Sequence, residues 1–306
     1  MITIQFSGRL GNLLFQIAST IAYAITTNHA FSLEAAPLSA WRHTLFRELN
    51  PFIVESYEDA TVSYNEQDAA KITTEPSPND TVRLVGFFQD YRIFDGFHAQ
   101  ILSITGLSRR RAEVIESGKF DLRRGGDASG PVVSMHVRRG DYEDARCYHL
   151  LLNEYYYRNS VVNIASRYGS ETKVRVVVFC EPGAKEIAVR IADAVKSTTD
   201  SLGYKVEYVQ FDSLCESPVE DYEELLAMSS CDHHIIANST FSWWAAYLNP
   251  AQQKIVCYPD QFYNHQLYYL STDGLEMPGW TKISAWNSAE YKCGCYELLD
   301  KGLLFM

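Results

Sequence analysis

Residues 136–146, HVRRGDYEDAR, bring His136, Arg138, Arg139 and Arg146 together with the acids Asp141, Glu143 and Asp144, directly behind the apolar run GPVVSM. Adjacent arginines suit anion binding, because a planar guanidinium grips a phosphate or carboxylate through two parallel hydrogen bonds. The plainer alternative is a charged edge on which Arg138 and Arg139 pair with Asp141, Glu143 or Asp144, each pair worth less than about 1 kcal/mol. A second stretch, ANSTFSWW (237–244), passes from an apolar run through Ser239, Thr240, Phe241 and Ser242 into helical spacing. A helix starting there would offer free backbone N–H groups, the positive end of its dipole and hydroxyl donors, a phosphate cradle with no glycine-rich loop. Ser239 or Thr240 also fits as a simple N-cap worth about 1 kcal/mol, and Trp243 and Trp244 fit as packing residues on the helix face. The RGD tripeptide (139–141) occurs in adhesion ligands, but so short a match is common by chance and no secretion signal accompanies it.

Periodicity supplies the elements that must position these residues. ITIQF (2–6) reads as a strand and SGRLGN as a turn; LLFQIASTIAYAIT then places Leu14, Ile17, Ala18, Ile21 and Ile25 at helical spacing. VRLVGFF (82–88) is a further strand, preceded by the loop PSPND. RRGGDASGP (123–131) marks a boundary between an N-terminal domain, 1–125, and a C-terminal one, 126–306. Beyond it the strand runs PVVSMHV, KVRVVVF, KVEYVQF, HHIIAN and KIVCYP alternate with helical stretches, the first LLNEYYYRNSVVNIASRY and the last TFSWWAAYL. Near-continuous Val/Ile runs between helices indicate a parallel sheet covered on both faces. Such sheets bind ligands outside the carboxyl ends of their strands. Both candidate stretches fall at that edge, which favours the anion-binding reading of the two together over the plainer reading of each alone.

Composition narrows the function classes. A net charge of -11 argues against nucleic acid or an anionic membrane as partner, so any anionic ligand needs a local basic pocket. No run approaches the length of a membrane-spanning helix, and the opening MITIQFSGRLGN lacks the features of a signal peptide. The 7 cysteines are an odd, scattered set that suits reduced thiols, and a cytoplasmic location is expected. Cys293 and Cys295 have neither a second pair nor a nearby histidine, so no zinc site is expected there. Of the sequons at Asn79 and Asn238, the second lies inside the proposed cradle, where a glycan would block it. There is no GxxxxGK[ST], GRLG lacks the third glycine of a dinucleotide fingerprint, and no Asp-x-Asp clamp for a metal-bound sugar nucleotide occurs. His233 and His234 alternate sides of an apolar strand and are read as packed or hydrogen-bonded histidines rather than a metal pair.

Five segments, GRLGNLLFQIA, VGFFQDYRIF, HVRRGDY, NEYYYRNSV and LLAMSSCDHHIIANSTFSWWAAYLN, follow in the order seen in the α-1,2-fucosyltransferase family, which the chain resembles from residue 1 to about 260. The resemblance implies an α/β, GT-B-like fold. Its two Rossmann-like domains face each other across a cleft, and the parallel-sheet C-terminal domain binds the nucleotide. It implies transfer of L-fucose from GDP-β-L-fucose, with inversion, to the 2-hydroxyl of a galactose-terminated glycan, with no metal or other cofactor. Arg138 would then take the β-phosphate with Arg139 in support, and His136 would face guanine or ribose. Ser239, Thr240, Phe241 and Ser242 would line the donor site. Arg9, Gly11 and Asn12 match the N-terminal motif that faces the donor, with Asn12 near fucose or acceptor. Asp141 is expected to be functional, either as the base that deprotonates the acceptor or as a group that orients arginine.

The chain departs from the family at three places. FCEPG stands where many members have Ser-Asp-Asp, leaving Glu181 as its only acid; NLLFQ replaces NQMFQ, so Leu13 and Leu14 alter the polar pattern beside Asn12. The tail AWNSAEYKCGCYELLDKGLLFM has no counterpart and is read as a helix packing back on the N-terminal domain. Two other readings stay open: a fucosyltransferase of another linkage, α-1,6 or protein O-linked, and a non-catalytic glycan- or nucleotide-binding protein of the same fold. The intact arginine motif beside an intact NSTFSWW speaks against the second. Arg138→Lys is expected to fold normally, by circular dichroism and thermal melting, yet lose most transfer activity, because a point ammonium cannot replace the guanidinium fork.

Overall fold

A computed structural model describes every residue except 57–59, 75, 78, 126–129, 265, 268–269 and 287–306. Cys293, Cys295 and most of the tail assigned above as a packing helix lie outside the described residues. The chain forms two α/β units. One holds Met1–Ser117, Glu220–Leu226 and Asp273–Met277; the other holds Gly118–Val219, Ala227–Thr272 and the strand Thr281–Ile283.

The first unit is built on a three-stranded parallel sheet with Val82–Val85 between Ile2–Gln5 and Val62–Asn65. Ile2, Thr3 and Ile4 are all fully buried, so the opening strand is covered on both faces, as its apolar run requires. The helix Leu10–Thr27 follows, its first three turns almost wholly buried. Gln16 joins the two strand ends: its Oε1 accepts the Ser7 N–H (3.2 Å) and its Nε2 donates to the Gly86 carbonyl (2.8 Å). The expected strand 82–88 stops early because the backbone turns at Gly86, with φ of 142°, and at Phe88, with φ of 50°. The Glu66 carboxylate accepts the N–H groups of both Phe87 and Phe88 and so holds that turn.

The second unit carries six parallel strands. In spatial order they are Thr281–Ile283, Val256–Pro259, His233–Ile235, Val132–Val137, Val174–Cys180 and Val206–Gln210. Counted in chain order, the sheet runs 3-2-1-4-5-6, so the chain reverses direction across the sheet between its first and fourth strands. Every strand expected from the sequence of this unit is present, and Thr281–Ile283, too short and polar to register as a run, completes the edge. Val133, Met135 and Val137 pack on one face with Tyr156, Tyr157, Val161 and Ile164 of the helix Glu154–Ala165. Ser134 and His136, one residue out of phase, point to the other face.

His233 and His234 serve that architecture. His234 Nδ1 meets the Ser134 hydroxyl at 2.8 Å, and its Nε2 accepts from Asn249 Nδ2 at 2.8 Å. His233 Nδ1 accepts the Ile255 N–H at 3.0 Å, and its Nε2 meets the Tyr168 hydroxyl. Trp243 and Trp244 are buried, in edge contact with each other at 5.5 Å, as the packing alternative has it. The described cysteines are all free thiols. Among the described residues no helix is long and apolar enough to cross a membrane.

Tyr156 is fully buried, and its hydroxyl is shared between the carbonyls of Ile236 (2.5 Å) and Cys257 (3.1 Å), binding the ends of two neighbouring strands. Tyr156→Phe is expected to cost about 1–3 kcal/mol in chemical denaturation, since two buried carbonyls lose their donor. Tyr155→Phe on the half-buried side of the same helix is expected to stay within about 0.5 kcal/mol.

Candidate active site

The strand-order reversal places two loops side by side. The pairs Val133–His233, Ser134–His234 and Met135–Ile235 set the register of the two strands. Continuing it brings His136–Arg138 beside Ile236–Asn238. The arginine stretch and the hydroxyl-rich stretch thus flank the point where open parallel sheets take their ligands.

Arg138 is the centre of this arrangement. Its side chain is only 9% exposed, although it lies at the mouth of the sheet. Nη1 pairs with Glu181, from the loop after the neighbouring strand, and Nη2 pairs with Asp141. The Tyr142 ring lies beneath the guanidinium, 4.6 Å from Cζ to the centroid, and the other face of the ring stacks on His149 at 4.0 Å and 8°. The Tyr142 hydroxyl donates to the Asn238 carbonyl at 3.0 Å, tying the first loop to the second. Gly140 is required between them: its φ is +52°, and an added Cβ would lie 3.2 Å from both Arg138 Nη1 and Glu181 Oε1.

Arg139 takes a different path. It is buried, and its Nη2 donates to the Leu152 carbonyl at 2.7 Å, with Glu143 3.8 Å from Nε. It therefore braces the loop from inside. His136 is buried, its ring 5.8 Å from that of Phe241, and its Nδ1 has no hydrogen-bond partner among the described residues. Burial, with the Arg138 charge adding to it, pushes the His136 imidazole down to about 3, so it is neutral at physiological pH. His149 is also held below its ordinary value, chiefly by burial, with Asp141 opposing and Arg138 reinforcing.

The second loop leads into the helix Thr240–Leu248. Ser239 occupies the N-cap position with extended backbone but makes no capping bond from its side chain. Ser242 is fully buried; its hydroxyl accepts the Ala237 N–H (3.2 Å) and donates to the Ser239 carbonyl (3.4 Å), which closes the turn. Thr240 and Phe241 are partly exposed at the first turn. Both Asn238 amide hydrogens are committed, to the carbonyls of Leu150 (2.9 Å) and Phe262 (2.7 Å), so this sequon is no acceptor in the folded chain.

Arg9, Gly11 and Asn12 belong to the other unit. Arg9 is exposed at the start of the helix Leu10–Thr27, Gly11 is buried in its first turn, and Asn12 Oδ1 accepts from Gln89 Nε2 at 3.0 Å. Gly8, with φ of +87°, leaves room for Asn12: an added Cβ would lie 2.2 Å from its Nδ2.

The family model described as glycosyl transferase family 11 matches residues 1–284. The chain belongs to that family. The resemblance drawn from the motifs therefore holds, and the chain is a glycosyltransferase by family. Among similar proteins, the O-antigen biosynthesis glycosyltransferase WbnK of Escherichia coli is 28% identical over 59% of this chain and 55% of its own length. The alpha-1,2-colitosyltransferase of Escherichia coli is 24% identical over 87% of this chain and 93% of its own. Galactoside alpha-(1,2)-fucosyltransferase 1 of Leontopithecus chrysomelas is 27% identical over 80% and 65%. The match thus spans about half the length of the first of these relatives and about two-thirds of the third. Among solved structures, fucosyltransferase NodZ from Bradyrhizobium is similar at a TM-score of 0.43 and 12% identity, over 81% of this chain and 93% of that one.

Within this family 11 chain, four residues of the site were not singled out as functional from sequence. Glu181 stands out in the sequence only as a departure from the family pattern, yet it contacts Arg138 and accepts the Arg139 N–H at 3.2 Å. Tyr142 links the two loops, His149 stacks on it, and Tyr157 donates to the His136 carbonyl at 3.0 Å. The tyrosines were visible inside the quoted motifs, but their partners lie 21 to 96 residues away, beyond any local pattern.

The buried neutral His136 also sets an acid limit. The unfolded chain takes up its proton below about pH 6.5 and the folded chain only near pH 3. Stability should therefore fall as pH drops through that window, by up to about 1.4 kcal/mol per pH unit from this group. Denaturation series at several pH values should show a shallower slope for His136→Gln; an unchanged slope would assign the acid sensitivity elsewhere.

Proposed function

We propose that this chain transfers L-fucose from GDP-β-L-fucose, with inversion and without a metal, to the 2-hydroxyl of a galactose-terminated glycan. The observation that carries the reading is Arg138, held at the mouth of the sheet where the strand order reverses, beside the start of the helix Thr240–Leu248. In the reaction the bond between the sugar anomeric carbon and the β-phosphate oxygen breaks, and its electron pair leaves with GDP. The acceptor oxygen bonds to the same carbon from the opposite face and gives up its proton.

The leaving diphosphate gathers negative charge as the sugar becomes oxocarbenium-like, so preorganised donors aimed at it lower the barrier most. Arg138 supplies the charged fork, and the start of the helix Thr240–Leu248 supplies the favourable end of its dipole. The neutral His136, with Nδ1 unpartnered, offers a hydrogen-bonding group for the nucleoside. Asp141, half exposed beside Arg138, is the nearest carboxylate in this loop for the acceptor proton. Arg9, Gly11 and Asn12 match the family's N-terminal motif and are proposed on that resemblance as further donor-binding residues.

A second reading keeps the chemistry and changes the donor. The alpha-1,2-colitosyltransferase of Escherichia coli is similar over 87% of this chain, which makes a colitose donor the alternative. Purified chain should be incubated with labelled GDP-fucose, GDP-colitose, GDP-mannose and UDP-galactose and a panel of galactosides, with and without EDTA. Transfer from GDP-fucose that survives EDTA and gives an α-1,2 linkage by NMR is the expected result. Preference for GDP-colitose selects the second reading, and strict metal dependence or use of UDP-galactose refutes the mechanism.

A further inference from the structure

Arg138 meets two carboxylates of unlike setting. Glu181 comes from the loop after Val174–Cys180, is 28% exposed, and sits below Gly140, where an added Cβ would press on it. It is anchored at both ends: its carboxylate also accepts the Arg139 N–H at 3.2 Å, and its carbonyl accepts the Ala184 N–H at 2.8 Å. Asp141 lies three residues along the arginine's own loop and is 53% exposed, on the solvent side of the guanidinium. With a carboxylate on each Nη group and the Tyr142 ring over one face, an arriving diphosphate competes with these carboxylates for the guanidinium.

We propose that Glu181 is the positioning residue that keeps its hold on Arg138 throughout, and that Asp141 is the exchangeable partner an arriving diphosphate displaces. The inference rests on the reading of this edge as the GDP-sugar site. The asymmetry follows from where each group sits. An exposed ion pair is weak and readily exchanged, whereas removing a partner from a mostly buried guanidinium leaves a charge poorly compensated. Displacement also frees the Asp141 carboxylate beside the reacting sugar at the moment the donor is bound. The Glu181 side chain spans from its loop to the arginine that follows the neighbouring strand.

Calorimetric titration of GDP into the full chain separates the two roles by sign. Asp141→Asn and Glu181→Gln each remove one negative charge, so a general electrostatic effect would tighten GDP binding in both. Loss of a competitor should tighten binding in Asp141→Asn by about 3-fold. Loss of the holding group should weaken it in Glu181→Gln by about 10-fold, with Glu181→Asp in between because it restores the charge on a shorter arm. Should Glu181→Gln melt far below wild type, Glu181→Asp carries the comparison, and wild-type affinity there refutes the proposal. Shifts of the same sign in both substitutions, with wild type still binding GDP, overturn this inference alone. A wild-type chain that binds no GDP overturns the donor reading and this inference with it.

Discussion

A guanidinium that is nine-tenths buried at the mouth of a parallel sheet has to be paired and enclosed, because an uncompensated buried charge is far more costly than an exposed one. The rest of the second unit's edge answers that requirement. Glu181 and Asp141 supply opposite charge, and the Tyr142 ring supplies a polarisable face. His149 backs the ring, and the Tyr142 hydroxyl carries the constraint across to Asn238. The loop conformation that achieves this needs a residue free to adopt positive φ, and Gly140 provides it. Low dielectric then turns a costly group into a useful one, since the same burial strengthens its attraction for any anion that reaches it.

The sheet makes that position available. Open parallel sheets take ligands in a gap at the strands' carboxyl ends where the order reverses, and here it reverses between the first and fourth strands. The gap's floor is kept rigid by tyrosines of the helix Glu154–Ala165, which donate to the carbonyls of His136, Ile236 and Cys257. Its opposite wall is a turn closed by Ser242 and fastened by Asn238. Hydroxyls that could have served a ligand are thus partly committed to shaping the backbone. In the first unit, Gln16 and Glu66 play comparable parts, holding turns in which Gly8, Gly86 and Phe88 adopt positive φ.

The sequence by itself determined the strands and helices of the second unit, because buried parallel strands demand continuous Val/Ile runs and covering helices demand 3.6-residue periodicity. It also determined the two stretches that could hold an anion and the family to which they belong. The first unit was less legible. The strands of its three-stranded sheet are four residues long, and Val62–Asn65 alternates too weakly to register. Only the tertiary structure decided the order of the strands, because that order depends on which helix crosses which face, and local composition is blind to it. It likewise decided that Arg139 turns inward to Leu152 while Arg138 stays at the mouth, although the two are adjacent and chemically identical. And it decided that Glu181, 43 residues from Arg138 in the chain, is one of the arginine's two carboxylate partners. Charge pairing acts through space across neighbouring strands, whereas the patterns that can be read from a sequence act along the chain.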